Sequence, residues 1–221
     1  MQKLLYWFHQ LYNVQWVVET FGYSGLATII FVETGLFVGF FLPGDSMLFT
    51  AGLACVKDNA MHVNLDLLTL NLWLIPAAII GDTVGFWIGR ACGPALYHRE
   101  KTFFFRKDHL LMTRAFYEKH GGKTIVLARF VPIVRTFAPA VAGVAQMDYR
   151  RFFAYNIVGG IGWVTGLSLL GYYLGGIELI KSHVEGAILL IILISLLPAV
   201  IMYLTGKRDA RLASMAENKQ A

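Results

Sequence analysis

The chain has 221 residues, of which 57% are hydrophobic and only 15% charged, with a formal net charge of +5 and a mean hydropathy of +0.57. An ordinary soluble domain carries about 25% charged residues, so this composition argues against a water-soluble enzyme. The apolar residues fall in blocks at 22–56, 67–89, 123–146, 152–176 and 186–206, several of them near the ~20 residues that cross a bilayer, which predicts an all-α, polytopic membrane protein forming one integral membrane domain.

Residues 1–20 are aromatic-rich, with Trp7, Phe8, Tyr12 and Trp16, and fit a helix lying at headgroup level; a short crossing helix stays open. They carry a single lysine, Lys3, and no small-residue cleavage site, so a retained start is expected rather than a signal peptide. The block 22–56 is too short for two full crossings and is interrupted at Pro43-Gly44, which reads as a re-entrant helical hairpin with a broken tip. The connection at 57–66 balances Lys57 against Asp58 and Asp66, as expected of an outer loop. The transmembrane span 67–89 then ends at Arg90, the start of a basic connection at 90–122 that belongs in the cytoplasm. Within it the sequence fits either a helix from about Asp108, as N-cap, to His120, stopped by Gly121-Gly122, or a solvated basic loop.

Charge decides how 123–146 meets the membrane. A single crossing would leave Arg150, Arg151 and the basic tail 207–221 outside, against the retention of basic loops in the cytoplasm. A dip from the cytoplasm and back places every basic cluster inside, with 152–176 running outward and 186–206 returning. A second re-entrant hairpin also accommodates Pro132 and Pro139, which remove backbone donors and are expected to break helices, leaving carbonyls that must face protein or water. The two halves, hairpin plus span at 22–89 and at 123–176, then have opposite orientations. An inverted repeat whose broken helices meet at midplane is a transporter signature, although the halves show no residue-level repeat.

Ionisable groups inside apolar blocks cost about 2.5–3.5 kcal/mol each on the insertion scale, so they face a bundle interior or a wet cavity and mark function. Glu33 lies deep in its block, and Asp45 follows the Pro43-Gly44 break. Either can carry a proton; the competing roles are a buried neutral acid for Glu33 and a helix cap for Asp45. Asp82 interrupts Ile79-Ile80-Gly81-Asp82-Thr83 and suits a structural partner of an arginine, while Arg90 is placed to snorkel to the headgroups. Arg129 and Arg135 flank Pro132, and their planar donor forks suit phosphate. The competing reading pairs them with Glu33 and Asp45 across the two hairpins, and a transporter can use both states in turn.

Other chemistries find little support. Cys55 and Cys92 sit on different segments and build neither a disulfide framework nor a metal cluster, and the six histidines show no ligand spacing, so no metal or cofactor is expected. The basic residues flank spans and form no nucleic-acid module. A lipid phosphatase would suit the arginines, but no histidine or serine stands beside them as acceptor and no carboxylate cluster holds metal ions, so the chain is not expected to be an enzyme. A proton-coupled small-ion or drug transporter and a non-transporting assembly factor remain as rivals.

At these residues the chain resembles the DedA (VTT-type) family of bacterial inner-membrane proteins. The matching text is Glu33-Thr34-Gly35, Phe41-Leu42-Pro43-Gly44-Asp45-Ser46, Gly81-Asp82 and Ile88-Gly89-Arg90, Tyr117 through Lys123, Arg129 through Pro139, and Ala142-Gly143, within roughly residues 20 to 176. The resemblance implies membrane transport dependent on the proton-motive force, for a chain whose apolar blocks and charge placement predict a multi-pass protein with its C-terminus cytoplasmic. Its implied substrate is undecaprenyl phosphate, returned across the membrane for envelope polymer synthesis, with general phospholipid scrambling as the alternative. It further implies that Glu33 and Asp45 form an essential acidic, proton-coupling pair and that Arg129 and Arg135 form a basic, phosphate-binding pair; the residue reading adds Asp82, Arg90, Pro43, Pro132 and Pro139 as supporting positions. The expected partners are the lipid phosphate, protons and membrane lipids, and the sequence is compatible with a homo-oligomer.

Overall fold

A computed structural model describes residues 14–36, 44–57, 63–97, 125, 126, 129, 132–177 and 186. The expectations for residues 1–13, Pro43, the helix at 108–120, the span at 186–206 and the tail at 207–221 fall outside the described residues, Gly186 apart. Among those described the regular structure is entirely helical: α1 (Val14–Gly35), α2 (Gly44–Leu53), α3 (Leu67–Tyr97), α4 (Pro132–Val144) and α5 (Tyr149–Gly175).

The two long helices frame the molecule. Leu67–Gly93 and Tyr149–Gly175 are each 27 residues of apolar helix, about 40 Å at 1.5 Å per residue against a hydrocarbon thickness of about 30 Å. Their outward faces carry Leu68 at 70% exposure and Tyr173 at 69%, with Leu72, Ile80, Val158 and Ile161 also exposed, a surface suited to lipid. Each helix starts on an aspartate cap. Asp66 accepts from the Thr69 amide and hydroxyl, both at 2.7 Å, which hold its carboxyl below the usual range. Asp148 accepts from the Arg151 amide at 3.0 Å.

Directions follow from the contacts. The Asp66 amide donates to the Tyr23 hydroxyl at 2.8 Å, while a methyl on Gly35 would lie 2.9 Å from the Gly81 carbonyl, so α1 runs alongside α3 in the same sense. α5 runs against α3, because Asn156 reaches Ile79 and Ser168 reaches Asn71. α2 follows α5: Asp45 meets Trp163, and Leu53 meets Gly175. α4 follows α3, with Pro139 against Gly85, Ala140 against Gly89 and Val144 against Gly93. Backbones nearly touch at two reciprocal glycine contacts. A side chain on Gly52 would strike the Ser168 backbone and one on Gly171 the Phe49 backbone; likewise Gly89 abuts Ala140 and Gly143 abuts Phe86.

Local chemistry departs from the sequence expectation at the prolines of α4. Pro139 does not break its helix but lies inside α4. Its missing donor leaves the carbonyl one turn back, a loss that helices in a membrane can make good through neighbouring groups, and its ring has room because Gly85 faces it. Pro132 opens α4, where a missing amide hydrogen costs nothing. At Gly22, with φ 60 and ψ −150, two helical stretches of α1 meet at a kink, beside the boundary expected between residues 20 and 22.

Apolar packing falls into two parts. One core gathers Leu26, Ile30, Leu48, Leu70, Leu74 and Val164 toward the Asp66 end. The other gathers Phe86, Ile125, Ala142 and Phe152 toward the Arg90 end, with Phe86 and Phe152 stacked at 4.4 Å. Between them lies a layer of buried charge.

Candidate functional site

Each of the five described helices contributes to that layer. Glu33 comes from the last turns of α1 and Asp45 from the first turn of α2. Asp82 lies at the midpoint of α3, Arg135 in the first turn of α4, and Asn156 and Trp163 on one face of α5. Glu33 is 1% exposed, and Asp82, Arg129 and Trp163 are each 3% exposed. Charges so removed from water persist only when paired.

Two ion-pair groups result. Arg135 donates through Nη1 to Asp45 Oδ1 and through Nη2 to Glu33 Oε1, so one guanidinium fork ties α4 to both α1 and α2. Arg129 donates through Nη2 to Asp82 Oδ2 and Asn156 Oδ1. Asn156 is itself fixed by its amide donating to the Ile79 carbonyl at 3.0 Å. The sequence placed both arginines as possible partners of Glu33 and Asp45; the structure gives that position to Arg135, while Arg129 pairs with Asp82. A cavity of about 10 Å³, lined by both arginines, Glu33, Asp82 and Trp163, joins the groups. That is about the space of one water.

Small residues make these burials possible. A methyl on Gly44 would collide with the Glu33 carboxylate, and one on Gly159 would lie 2.8 Å from Arg129 Cδ. The Gly159-Gly160 pair thus seats the Arg129 side chain against α5. Arg90 stands apart from the layer, with its guanidinium 5.6 Å from the Trp87 ring centroid and donating to the Met147 carbonyl at 3.4 Å.

Asn156 and Trp163 were not singled out from the sequence. Asn156 carried a signal, being a polar amide in an apolar span, the same criterion that selected the acids. Trp163 carried none, since an aromatic in a membrane helix is unremarked until its neighbours are known.

The VTT domain family matches residues 42–173. Protein DedA of Escherichia coli K12 is 48% identical over 193 residues, 87% of this chain and 86% of its own length. An uncharacterized membrane protein of Mycobacterium leprae is 42% identical over 189 residues, 86% of this chain and 82% of its own. Inner membrane protein YghB of Salmonella typhimurium is 33% identical over 171 residues, 73% of this chain and 71% of its own. No solved structure matches the chain. The chain is therefore a membrane protein of the DedA family, carrying its VTT domain.

Proposed function

We propose that this protein is a transporter driven by the proton-motive force, a flippase that returns undecaprenyl phosphate across the bacterial inner membrane for envelope synthesis. The observation that carries this reading is Arg135 shared between Glu33 and Asp45, on elements that run in opposite senses. In this reading α1 and α2 form a re-entrant hairpin entering from the Asp66 face, and the chain through Arg129 into α4 forms another from the Arg90 face. The reciprocal glycine contacts, α2 on α5 and α4 on α3, support an inverted repeat. The Arg90 end, the basic connection after it and the C-terminal tail face the cytoplasm.

The mechanism rests on competition for a guanidinium. With both carboxylates charged, Arg135 is fully engaged, and a cavity the size of one water admits no phosphate group. Protonation of Glu33 or Asp45 removes one charge from the grip on Arg135 and frees donors for the headgroup. The phosphate then replaces the carboxylates as the fork's partner, with Arg129 beside it, while the polyprenyl tail stays in lipid through a lateral opening. Deprotonation toward the cytoplasm restores the ion pairs and expels the headgroup. No cofactor and no covalent step is needed, so the protein is read as a transporter and not an enzyme.

Liposomes carrying labelled undecaprenyl phosphate test this directly. Translocation is expected to require the protein and an imposed pH gradient, and to fail in Arg135→Ala. Unchanged translocation in both Arg129→Ala and Arg135→Ala would remove the headgroup site. Dissipation of a pH gradient by small cations or drugs, with no lipid moved, would transfer the same residues to a proton-coupled small-solute transporter.

A further inference from the structure

Trp163 touches both partners of the central ion pair. Its indole Nε1 donates to Asp45 Oδ1 at 2.8 Å, the same oxygen that accepts from Arg135 Nη1. Its ring lies under the Arg135 guanidinium, with the Cζ carbon 4.6 Å from the ring centroid. The residue is 3% exposed and sits on α5, a helix that also seats Arg129 through Asn156 and Gly159. The face of an indole attracts a cation, and its N–H is a donor only. The two ends of one rigid side chain therefore act on opposite members of the same pair.

We propose that Trp163 is a positioning residue of the transport site, which sets how readily Arg135 passes from Asp45 to a phosphate headgroup. The indole N–H shares the charge of Asp45 Oδ1, so the carboxylate keeps a donor when the guanidinium leaves, and leaving it costs less. The ring face holds the guanidinium against α5 through the exchange, so Arg135 changes partner without losing its seat. The inference rests on Arg135 being a headgroup ligand, and it adds the residue that tunes that ligand.

Two variants separate the roles. Trp163→Phe keeps an aromatic face and loses the N–H; Trp163→Leu loses both. In liposomes of phosphatidylethanolamine and phosphatidylglycerol, Trp163→Phe is expected to raise the half-saturating concentration of labelled undecaprenyl phosphate about tenfold, the scale of one hydrogen bond to a charged group. Its maximal rate is expected to stay within about twofold, because the seat is kept. Trp163→Leu is expected to lower the maximal rate as well. Half-saturation unchanged in folded Trp163→Phe overturns the proposal, as does a loss wholly accounted for by less folded protein.

An emission measurement reads the Trp163–Arg135 contact without any transport. The difference spectrum between wild type and Trp163→Phe isolates this indole, and removing the cation above it by Arg135→Gln is expected to shift that spectrum. An identical difference spectrum with and without Arg135 overturns the contact and the proposal with it. Wild-type vesicles that move no lipid phosphate, with the shift present, overturn the flippase reading and leave the contact standing.

Discussion

Arg129 donates to Asp82, on a different helix from the acids that hold Arg135. The two arginines are thus unequal: one lies in a pocket closed by Asp82, Asn156 and two glycines, the other bridges carboxylates from two separate helices. In the proposed mechanism the first holds the fold and the second exchanges partners.

Removing Asp82 leaves a buried guanidinium with only an amide as partner. Asp82→Ala is expected to destabilise the fold by about 3–5 kcal/mol, the range for breaking a buried ion pair from one side. Thermal unfolding in detergent checks this, and Asp82→Ala/Arg129→Met is expected to recover much of the loss because the stranded charge goes too.

Arg135→Lys keeps the charge but loses the fork that spans Asp45 and Glu33. Translocation is expected to fall by at least about tenfold, equivalent to about 1.4 kcal/mol, while the amount of folded protein changes little. A rate equal to wild type would show that a point charge suffices.

Glycine substitutions give opposite outcomes according to what faces them. Gly44→Ala drives a methyl into the Glu33 carboxylate and is expected to cost about 1–3 kcal/mol, as overpacking does, and to abolish transport. Gly166 meets nothing within 4 Å, so Gly166→Ala is expected to be neutral or to stabilise by up to about 1 kcal/mol through backbone entropy. Melting temperatures of the two variants separate these cases.

At the Asp66 cap the folded carboxyl is held below its usual range by Thr69. A depressed acid stabilises above its unfolded pKa and loses that contribution as pH falls through its folded pKa. The melting-temperature difference between wild type and Asp66→Ala is therefore expected to be constant from neutral pH to about 4, and to shrink below it. A difference that grows on acidification would contradict the cap.

The sequence exposes the charged layer because hydrocarbon makes ionisable groups rare: Glu33, Asp45, Asp82, Arg129 and Arg135 are all identified by cost alone, and all five meet in the fold. Pairing was not legible, since nothing in a linear chain says that Asp82 faces Arg129 while Glu33 faces Arg135. Pro139 shows the reverse failure. Its local chemistry predicts a break, but Gly85 across the interface makes room for its ring and the helix continues. The kink at Gly22 was equally hidden, because glycine permits a positive φ without requiring it.

Glu33 and Arg135, carried by separate elements, bear directly on one another inside the protein. A double-mutant cycle of Glu33→Gln and Arg135→Gln, read by thermal unfolding of the purified chain, measures that coupling. The expected result is strong non-additivity, about 1–3 kcal/mol, with the double variant more stable than the sum of the singles implies. Additive effects, within about 0.5 kcal/mol, would mean that the two side chains do not meet.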